Sequence, residues 1–302
     1  MTEAAAFAPG HLTGLFQICD EPKDPLLKGA RGSGISLTRG VHTRVAVEPS
    51  RENIQTISIN GQATRGAFVS ENVLSKYLTK LSEPHRIIVE HMVDTPITAG
   101  FGSSGGGAHS LSLALNKVLN AGLTRVEAAQ IAHVAEIECR TGLGSVFAAD
   151  KGGFGVLYKP GAPGVGEGKL YDYSDKLHVV YVYYGPIETK AALGNPELRR
   201  KINQIGGDYV DELYRELTPE RFMQLSRRFT DHVGMSTPRL RRLFDAMDAE
   251  GILFTMAMFG EVAFSVQPVD EAHVLAEMVR RKVKGATPVV CGVETRGAFY
   301  TG

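Results

Sequence analysis

Apolar Val41, Val45 and Val47, with Thr43, alternate with polar His42, Arg44 and Glu48, the pattern of a strand buried on one face. Ile54 to Ile59 follows as a short strand, read as the other half of a hairpin. The period then changes. Val73, Leu74, Tyr77, Leu78 and Leu81 recur at helical spacing. After an apolar strand over 86–93, Ala108, Leu111, Leu115, Val118 and Leu119 do the same, and Gly122 stands where that helix would stop. Thr124-Arg-Val-Glu127 is a capping box that opens a third helix. Ala129, Ala132 and Glu136 lie on one face of it, and Glu138, about 200° further round, cannot share that face. In the second half, Leu177 to Tyr184 reads as a strand, and three helices follow. Thr218-Pro219 and Thr237-Pro238 start two of them, with Gly234 and Gly251 as stops. Strands over 252–258 and 262–266, a helix over 270–283 and a strand over 289–293 complete the order of a ferredoxin-like α+β layer. Three stretches carry no period. Phe7 to Gly14 reads as a turn-rich segment before a short apolar run at Leu15–Cys19, and Asp24 to Gly34 as a glycine-rich loop carrying Lys28 and Arg31. The Pro/Gly-rich piece 159–168 marks a boundary, dividing the chain into 1–168 and 169–302.

Between the strand at 86–93 and the helix beyond it runs Pro96-Ile-Thr-Ala-Gly-Phe-Gly-Ser-Ser-Gly-Gly-Gly107. Glycines let a backbone approach a ligand closely, and the free N–H groups of a helix start favour an anion. Ser103 and Ser104 add hydroxyls suited to a phosphate oxygen or a magnesium ion, so a nucleotide's phosphate chain is the natural ligand. Gly100-x-Gly102-x-x-Gly105 also matches the dinucleotide fingerprint, but that unit needs a second strand soon after the helix, where this chain has another helix. No lysine follows the glycines, which excludes a Walker loop. A flexible linker is the plain alternative, although such linkers are flanked by polar sequence rather than clamped between apolar elements. Glu136 on a small apolar face is costly to bury unless paired or bound to metal; the plain alternative leaves it and Glu138 solvated at the surface. Arg140 to Val146 reads as a further turn. Lys28, Arg31 and Arg140 lie in or beside glycine turns, as candidates to hold an acid's carboxylate or as plain surface charges.

Length and composition narrow the setting. The 302 residues suffice for one large or two modest domains, and 43% hydrophobic with 22% charged content fits a globular protein. Lys plus Arg (33) equals Asp plus Glu (33), so no bulk field draws the chain to nucleic acid or an acidic membrane. Cys19, Cys139 and Cys291 stand far apart in no ligand spacing, as reduced thiols of a cytoplasmic protein would. No apolar run reaches membrane-spanning length, and no signal peptide is visible.

On these residues the chain resembles the GHMP kinases, the superfamily of galactokinase, homoserine kinase and mevalonate kinase. PITAGFGSSGGG is similar to their Pro-x-x-x-Gly-x-Gly-Ser-Ser phosphate loop, and Ala8-Pro-Gly-His11 to their Ala-Pro-Gly-Lys segment, with His11 in place of lysine. The family's C-terminal Thr-Gly-x-Gly is absent, and Met256-Ala-Met-Phe-Gly-Glu261 stands there instead. That replacement, with PGHLTG, DPLLKGARGSG and TGLG, resembles one branch, the archaeal pantoate kinases. The resemblance implies a two-domain α+β fold: an N-terminal domain with a left-handed βαβ crossover and a C-terminal ferredoxin-like layer, whose sheet edge would allow a homodimer. It implies an ATP- and Mg2+-dependent kinase that phosphorylates the hydroxyl of pantoate, a small hydroxy acid, to 4-phosphopantoate on the route to coenzyme A. Pro96, Ala99, Gly100, Phe101, Gly102, Ser103, Ser104, Gly105, Gly106 and Gly107 would form the ATP phosphate site. Ser104 and Glu136 would hold magnesium, Lys28, Arg31 and Arg140 would meet the substrate acid, and Glu136, Ser145 and His11 would be the catalytic positions. Counted back from Gly152-Gly153, Ser145 falls where the family has its catalytic aspartate, so no strong base is expected there. The alternatives are another GHMP-type kinase, of homoserine, mevalonate or shikimate, and a binding protein that keeps the fold without turnover.

Overall fold

The computed structural model describes residues 1–79, 83–187 and 193–301; Leu81 lies outside them. Two long strands, β1 (Thr2–Cys19) and β2 (Gly29–Pro49), pair antiparallel from Thr2 opposite Val47 to Cys19 opposite Gly29. This corrects the turn-rich segment expected over 7–14 and puts Arg31 on a strand rather than in a loop. The ladder shifts register at Pro9/Gly10 and at Thr13/Leu15, and such bulges let a strand carry proline without a lost ladder bond. The glycines that suggested a loop allow close backbone approach: a Cβ on Gly34 would meet the Leu12 carbonyl oxygen at 2.3 Å.

A short ribbon follows, β3 (Ile54–Ile59) and β4 (Gln62–Ala63), then α1 (Phe68–Leu78) and β5 (His85–Val93). The expected hairpin between 41–48 and 54–59 does not form. β3 pairs parallel with β5 across α1, and β5 pairs with β2. Period-2 alternation identifies a strand but says nothing about its partner or direction. α2 (Ser103–Val118) and α3 (Arg125–Cys139) succeed each other with no strand between, against the dinucleotide unit. The Thr124–Glu127 capping box forms as expected. The turn expected over 140–146 gives way at Ser145 to a short helix, α4 (Ser145–Lys151). β6 (Phe154–Lys159) then pairs with β2, and β7 (Glu167–Leu170) with β6. The path β12-β1-β2-β5-β3-β4 makes the larger sheet, β12 being Phe299–Tyr300. Val45, Ile87, Val89, Leu111, Leu115, Ala129 and Ala132 fill the core between this sheet and α1–α3.

The second sheet has the order β11-β8-β10-β9, all antiparallel. Its strands are β8 (Leu177–Pro186), β9 (Thr255–Met256), β10 (Gly260–Pro268) and β11 (Pro288–Gly292). Renumbered along this half, the order is 4-1-3-2, as a ferredoxin-like layer requires. β11 also meets β2 through a bridge from Val293 to Leu37, which leaves two-residue β9 as the opposite edge. The helices are α5 (Pro196–Arg215), α6 (Pro219–Val233), α7 (Pro238–Asp248) and α8 (Val269–Lys282). Thr218 and Thr237 cap α6 and α7 with their hydroxyls, ahead of proline at the first helical position. Leu12, Leu15 and Phe16 of β1 share one core with Val179, Phe222, Phe229 and Phe264. Each such buried side chain stabilises the fold by roughly 1.5–3 kcal/mol, so the two halves are joined by packing as well as by chain. No described helix is long and apolar enough to cross a membrane, and none of the three cysteines is in a disulfide.

Candidate active site

The glycine-rich loop is folded by its neighbours. Gly100 (φ 78°) and Gly102 (φ 63°) occupy the left-handed region that favours glycine, and α2 starts at the next residue. A Cβ on Gly100 would lie 2.7 Å from the Met258 carbonyl oxygen, and one on Gly260 would lie 1.9 Å from that of Ala99. The loop is therefore pressed backbone to backbone on the segment that replaces the family's Thr-Gly-x-Gly. From the other side, the His11 N–H donates to the Phe101 carbonyl at 2.8 Å, and the buried Phe101 ring meets Tyr181 edge-on at 5.0 Å.

A cleft of about 1140 Å³ opens over this loop and is lined by Ala99 to Gly105 and by Gly107. Pro96 and Gly106 do not line it. Gly105 and Gly107 are two residues apart, about 200° round the helix, and face its two sides. On one side, Gly107 approaches His91 and Val41. His91 is buried, its Nδ1 2.7 Å from the Thr43 hydroxyl and its Nε2 3.1 Å from that of Ser70. Burial pushes its pKa down to about 4, so the ring is neutral near pH 7. Sequence reasoning missed this histidine, since one polar residue in a strand gives no distinguishing pattern.

On the other side, a Cβ on Gly105 would lie 2.4 Å from Ser145 Oγ and 3.2 Å from Glu136 Oε2. Glu136 is only 2% exposed, on the face shared with Ala129 and Ala132. Three hydroxyls point at its carboxylate: Ser104 at 2.5 Å and Thr141 at 2.6 Å donate to Oε1, and Ser145 at 2.8 Å donates to Oε2. No basic side chain forms an ion pair with it among the described residues. Thr141 returns to Glu136 because Arg140 takes the left-handed cap position of α3 (φ 57°), which reverses the chain. A Cβ on Gly142 would stand 2.2 Å from Glu136 Oε2 and 2.5 Å from Ser145 Oγ, so a side chain there would displace this cluster. Glu138 instead faces α1, accepting from Asn72 and Lys76 at 2.9 Å each. Burial raises its pKa, but those two hydrogen bonds and the lysine charge hold it net below the usual carboxylate range.

His11 lines the cleft half-buried, its Nδ1 3.3 Å from Ser36 Oγ. Burial lowers it to about 4, so it is a neutral ring near pH 7. Arg140 also lines the cleft, exposed and without an ion pair among the described residues. Lys28 and Arg31 do not line it. The Arg31 guanidinium bonds the Tyr158 carbonyl at 2.7 Å and Gln17 at 3.1 Å, and is paired with Asp211 of α5. Strand alternation turned this side chain away from the cleft. Lys28 lies on a loop pinned from below, where buried His133 Nε2 is 3.1 Å from the carbonyls of both Pro25 and Lys28.

A model of the GHMP kinases N-terminal domain matches residues 68–153, which run from α1 through the glycine-rich loop to Gly153. The pantoate kinase of Methanocaldococcus jannaschii is 30% identical over 292 residues, covering 95% of this chain and 99% of that protein. The chain belongs to the pantoate kinase family. A solved structure titled as a phosphotransferase related to the CoA biosynthesis pathway superposes with a TM-score of 0.89 at 27% identity, covering 99% of this chain and 98% of that one. Mevalonate diphosphate decarboxylase from Enterococcus faecalis, in a structure titled for its ATP binding mechanism, shares the fold alone (TM-score 0.77, 14% identity, 99% of each chain). The fold is thus that of the GHMP kinases, and within it this pantoate kinase family member gathers Ser104, Glu136, Thr141 and Ser145 at one point, with His11 and Arg140 elsewhere along the same cleft.

Proposed function

We propose that the protein transfers the γ-phosphoryl group of ATP to the hydroxyl of pantoate, giving 4-phosphopantoate. The observation that carries this is the Glu136 carboxylate, buried without an ion-pair partner among the described residues and hydrogen-bonded to Ser104 at the start of the loop helix. A buried anion without a counter-charge is unfavourable, and a cation beside it restores balance. The nearby donors are carboxylate and hydroxyl oxygens, the hard set that suits magnesium, so Ser104 and Glu136 are the residues that would hold it. Magnesium held there supplies charge neutralisation for the phosphoryl group in transfer. Backbone N–H groups from Gly100 to Gly105 hold the β- and γ-phosphates, helped by the positive end of α2; the Gly106 N–H is taken by the Gly102 carbonyl.

Ser145 acts in this account by orienting Glu136 rather than by taking a proton, since its hydroxyl donates to Oε2. Of the described residues that line the cleft only Glu136 and Glu138 are carboxylates, and both are engaged, so no free carboxylate base stands ready among them. Phosphoryl transfer through a loose transition state tolerates that, because positioning and charge stabilisation supply most of the acceleration. The relative named pantoate kinase and the CoA-pathway phosphotransferase support pantoate as the acceptor. A coupled assay of ADP release with pantoate, homoserine, mevalonate and shikimate tests it. Pantoate should give the highest kcat/KM; no ADP above the ATPase background with any acceptor would sink the kinase reading.

A further inference from the structure

The cleft needs a cation to receive an acidic acceptor, and Arg31, turned to Asp211, is not available for it. Among the described residues, three basic side chains besides the histidines line the cleft: Arg140, Lys151 and Lys169. α4 brings Ser145, Ala148 and Lys151 into the cleft at intervals of three, so a strip that winds about 120° around this helix from Ser145 to Lys151 forms part of the wall. Ser145 at its first turn touches Glu136, and Lys151 stands at its last residue. The lysine stem folds back along the helix, because its ammonium lies 5.8 Å from the centroid of the Phe147 ring, four residues earlier. Six residues of helix separate Ser145 and Lys151 by about 9 Å of rise, and the back-folded side chain shortens that span. Pantoate's hydroxyl and carboxylate are about 5 Å apart at carbon–carbon bonds near 1.5 Å. No carboxylate pairs with Lys151 among the described residues; the adjacent Asp150 is taken by Arg125 and His109. Lys169, by contrast, is drawn toward α5, where its ammonium meets the Tyr214 carbonyl at 3.4 Å and the Tyr214 ring at 6.0 Å.

We infer that Lys151 is the seat of the acceptor's carboxylate and sets the preference for a hydroxy acid over a neutral alcohol. With the carboxylate on Lys151, the distal hydroxyl reaches back along α4 toward Ser145 and Glu136, beside the phosphate loop. The alternation of Ser145, Ala148 and Lys151 then works as a ruler: helix rise fixes how far from the acid the phosphorylated hydroxyl must be. This rests on the proposed phosphorylation of pantoate.

The test compares pantoate with the corresponding neutral amide as acceptors for the wild-type protein, Lys151→Met, Lys151→Arg, Lys169→Met and Arg140→Met. Lys151→Met should raise KM for pantoate about tenfold to a hundredfold, the scale of a lost charge-assisted hydrogen bond. It should leave KM for ATP and kcat/KM for the amide within about twofold, so that the preference for acid over amide disappears, and Lys151→Arg should restore part of it. If Lys151→Met keeps the wild-type preference, or if Lys169→Met or Arg140→Met abolishes it instead, Lys151 is not the seat. Wild-type protein that turns over pantoate while Lys151→Met behaves like it fails the seat alone; wild-type protein inert toward pantoate fails the function beneath it and the seat together.

Discussion

Glu136 and Ser145 show how far a single position can be read. That Glu136 shares a face with Ala129 and Ala132 follows from helical spacing, and that face is the buried one. Thr141, its third hydroxyl partner, was not legible, because the reversal at Arg140 puts a non-helical residue back against the helix end. Arg31 misled for the opposite reason: a basic residue among glycines suggests a loop, but its partner Asp211 lies 180 positions away. The position of Ser145 invites a specific test. Its oxygen stands 2.8 Å from Glu136 Oε2 as a donor, so Ser145→Asp would set two carboxylates against each other. Like charges this close cannot both ionise freely, and one would be forced to hold a proton at neutral pH. Turnover and melting temperature should both fall at pH 7. A rise in turnover would mean that a missing base limits the enzyme, contrary to this account.

Elements were legible where they repeat a period and obscure where glycine serves close approach. α3, α6 and α7 carry their caps in the sequence, and the last strand and helix lie within a residue or so of where periodicity puts them. β1 and the first part of β2 were hidden, because Pro9, Gly10 and Gly34 read as turn or loop although they sit where strand backbones nearly touch. α4 was hidden by its length of seven residues, too short for a helical period to declare itself. A glycine of the site and one outside it differ in kind, and paired substitutions separate them. Gly105→Ala would push a methyl group to 2.6 Å from Ser145 Cβ and 2.4 Å from its oxygen, in the packed wall of the Glu136 cluster. Overpacking of this kind destabilises by about 1–3 kcal/mol, and here it also displaces the carboxylate's donors. Gly122→Ala meets nothing within 4 Å and suffers only from its left-handed backbone (φ 69°), roughly 1–2 kcal/mol. Both should lower the unfolding free energy, but only Gly105→Ala should lower kcat, by at least an order of magnitude, the scale of disturbing one oriented stabiliser. Equal activity of the two variants in steady-state assays would remove Gly105 from the site.

At the scale of the whole molecule, buried neutral histidines tie stability to pH. His11 and His91 are pushed to about 4 by burial, and burial lowers His133 as well, against the raising effect of its two carbonyl partners. In the unfolded chain these rings take a proton near pH 6.5. Between pH 6.5 and about 4 the unfolded state therefore binds protons that the folded state refuses, and stability falls as pH falls, by up to ~1.4 kcal/mol per pH unit for each of His11 and His91. Above pH 6.5 the contribution is fully present. Urea unfolding at pH 7, 6 and 5 should show this loss before ordinary carboxylates begin to titrate, and His91→Asn should flatten it. A midpoint unchanged from pH 7 to 5 would show that these rings are not buried neutral.

The same molecule-wide packing holds the glycine-rich loop between His11 of β1 and the Met258–Gly260 turn, and it sets Glu136 beside that loop. The central claim is that this one buried carboxylate organises phosphoryl transfer to pantoate. Phosphorus NMR of ATP, magnesium and pantoate incubated with the protein tests it most directly, with Glu136→Gln in parallel. Wild-type protein should build up a phosphomonoester resonance in step with ADP. Glu136→Gln, with the same shape and no charge, should do so at least ~10²-fold more slowly while melting no lower than wild type. No phosphomonoester from the wild-type protein, or its formation at an equal rate by Glu136→Gln, would contradict the account.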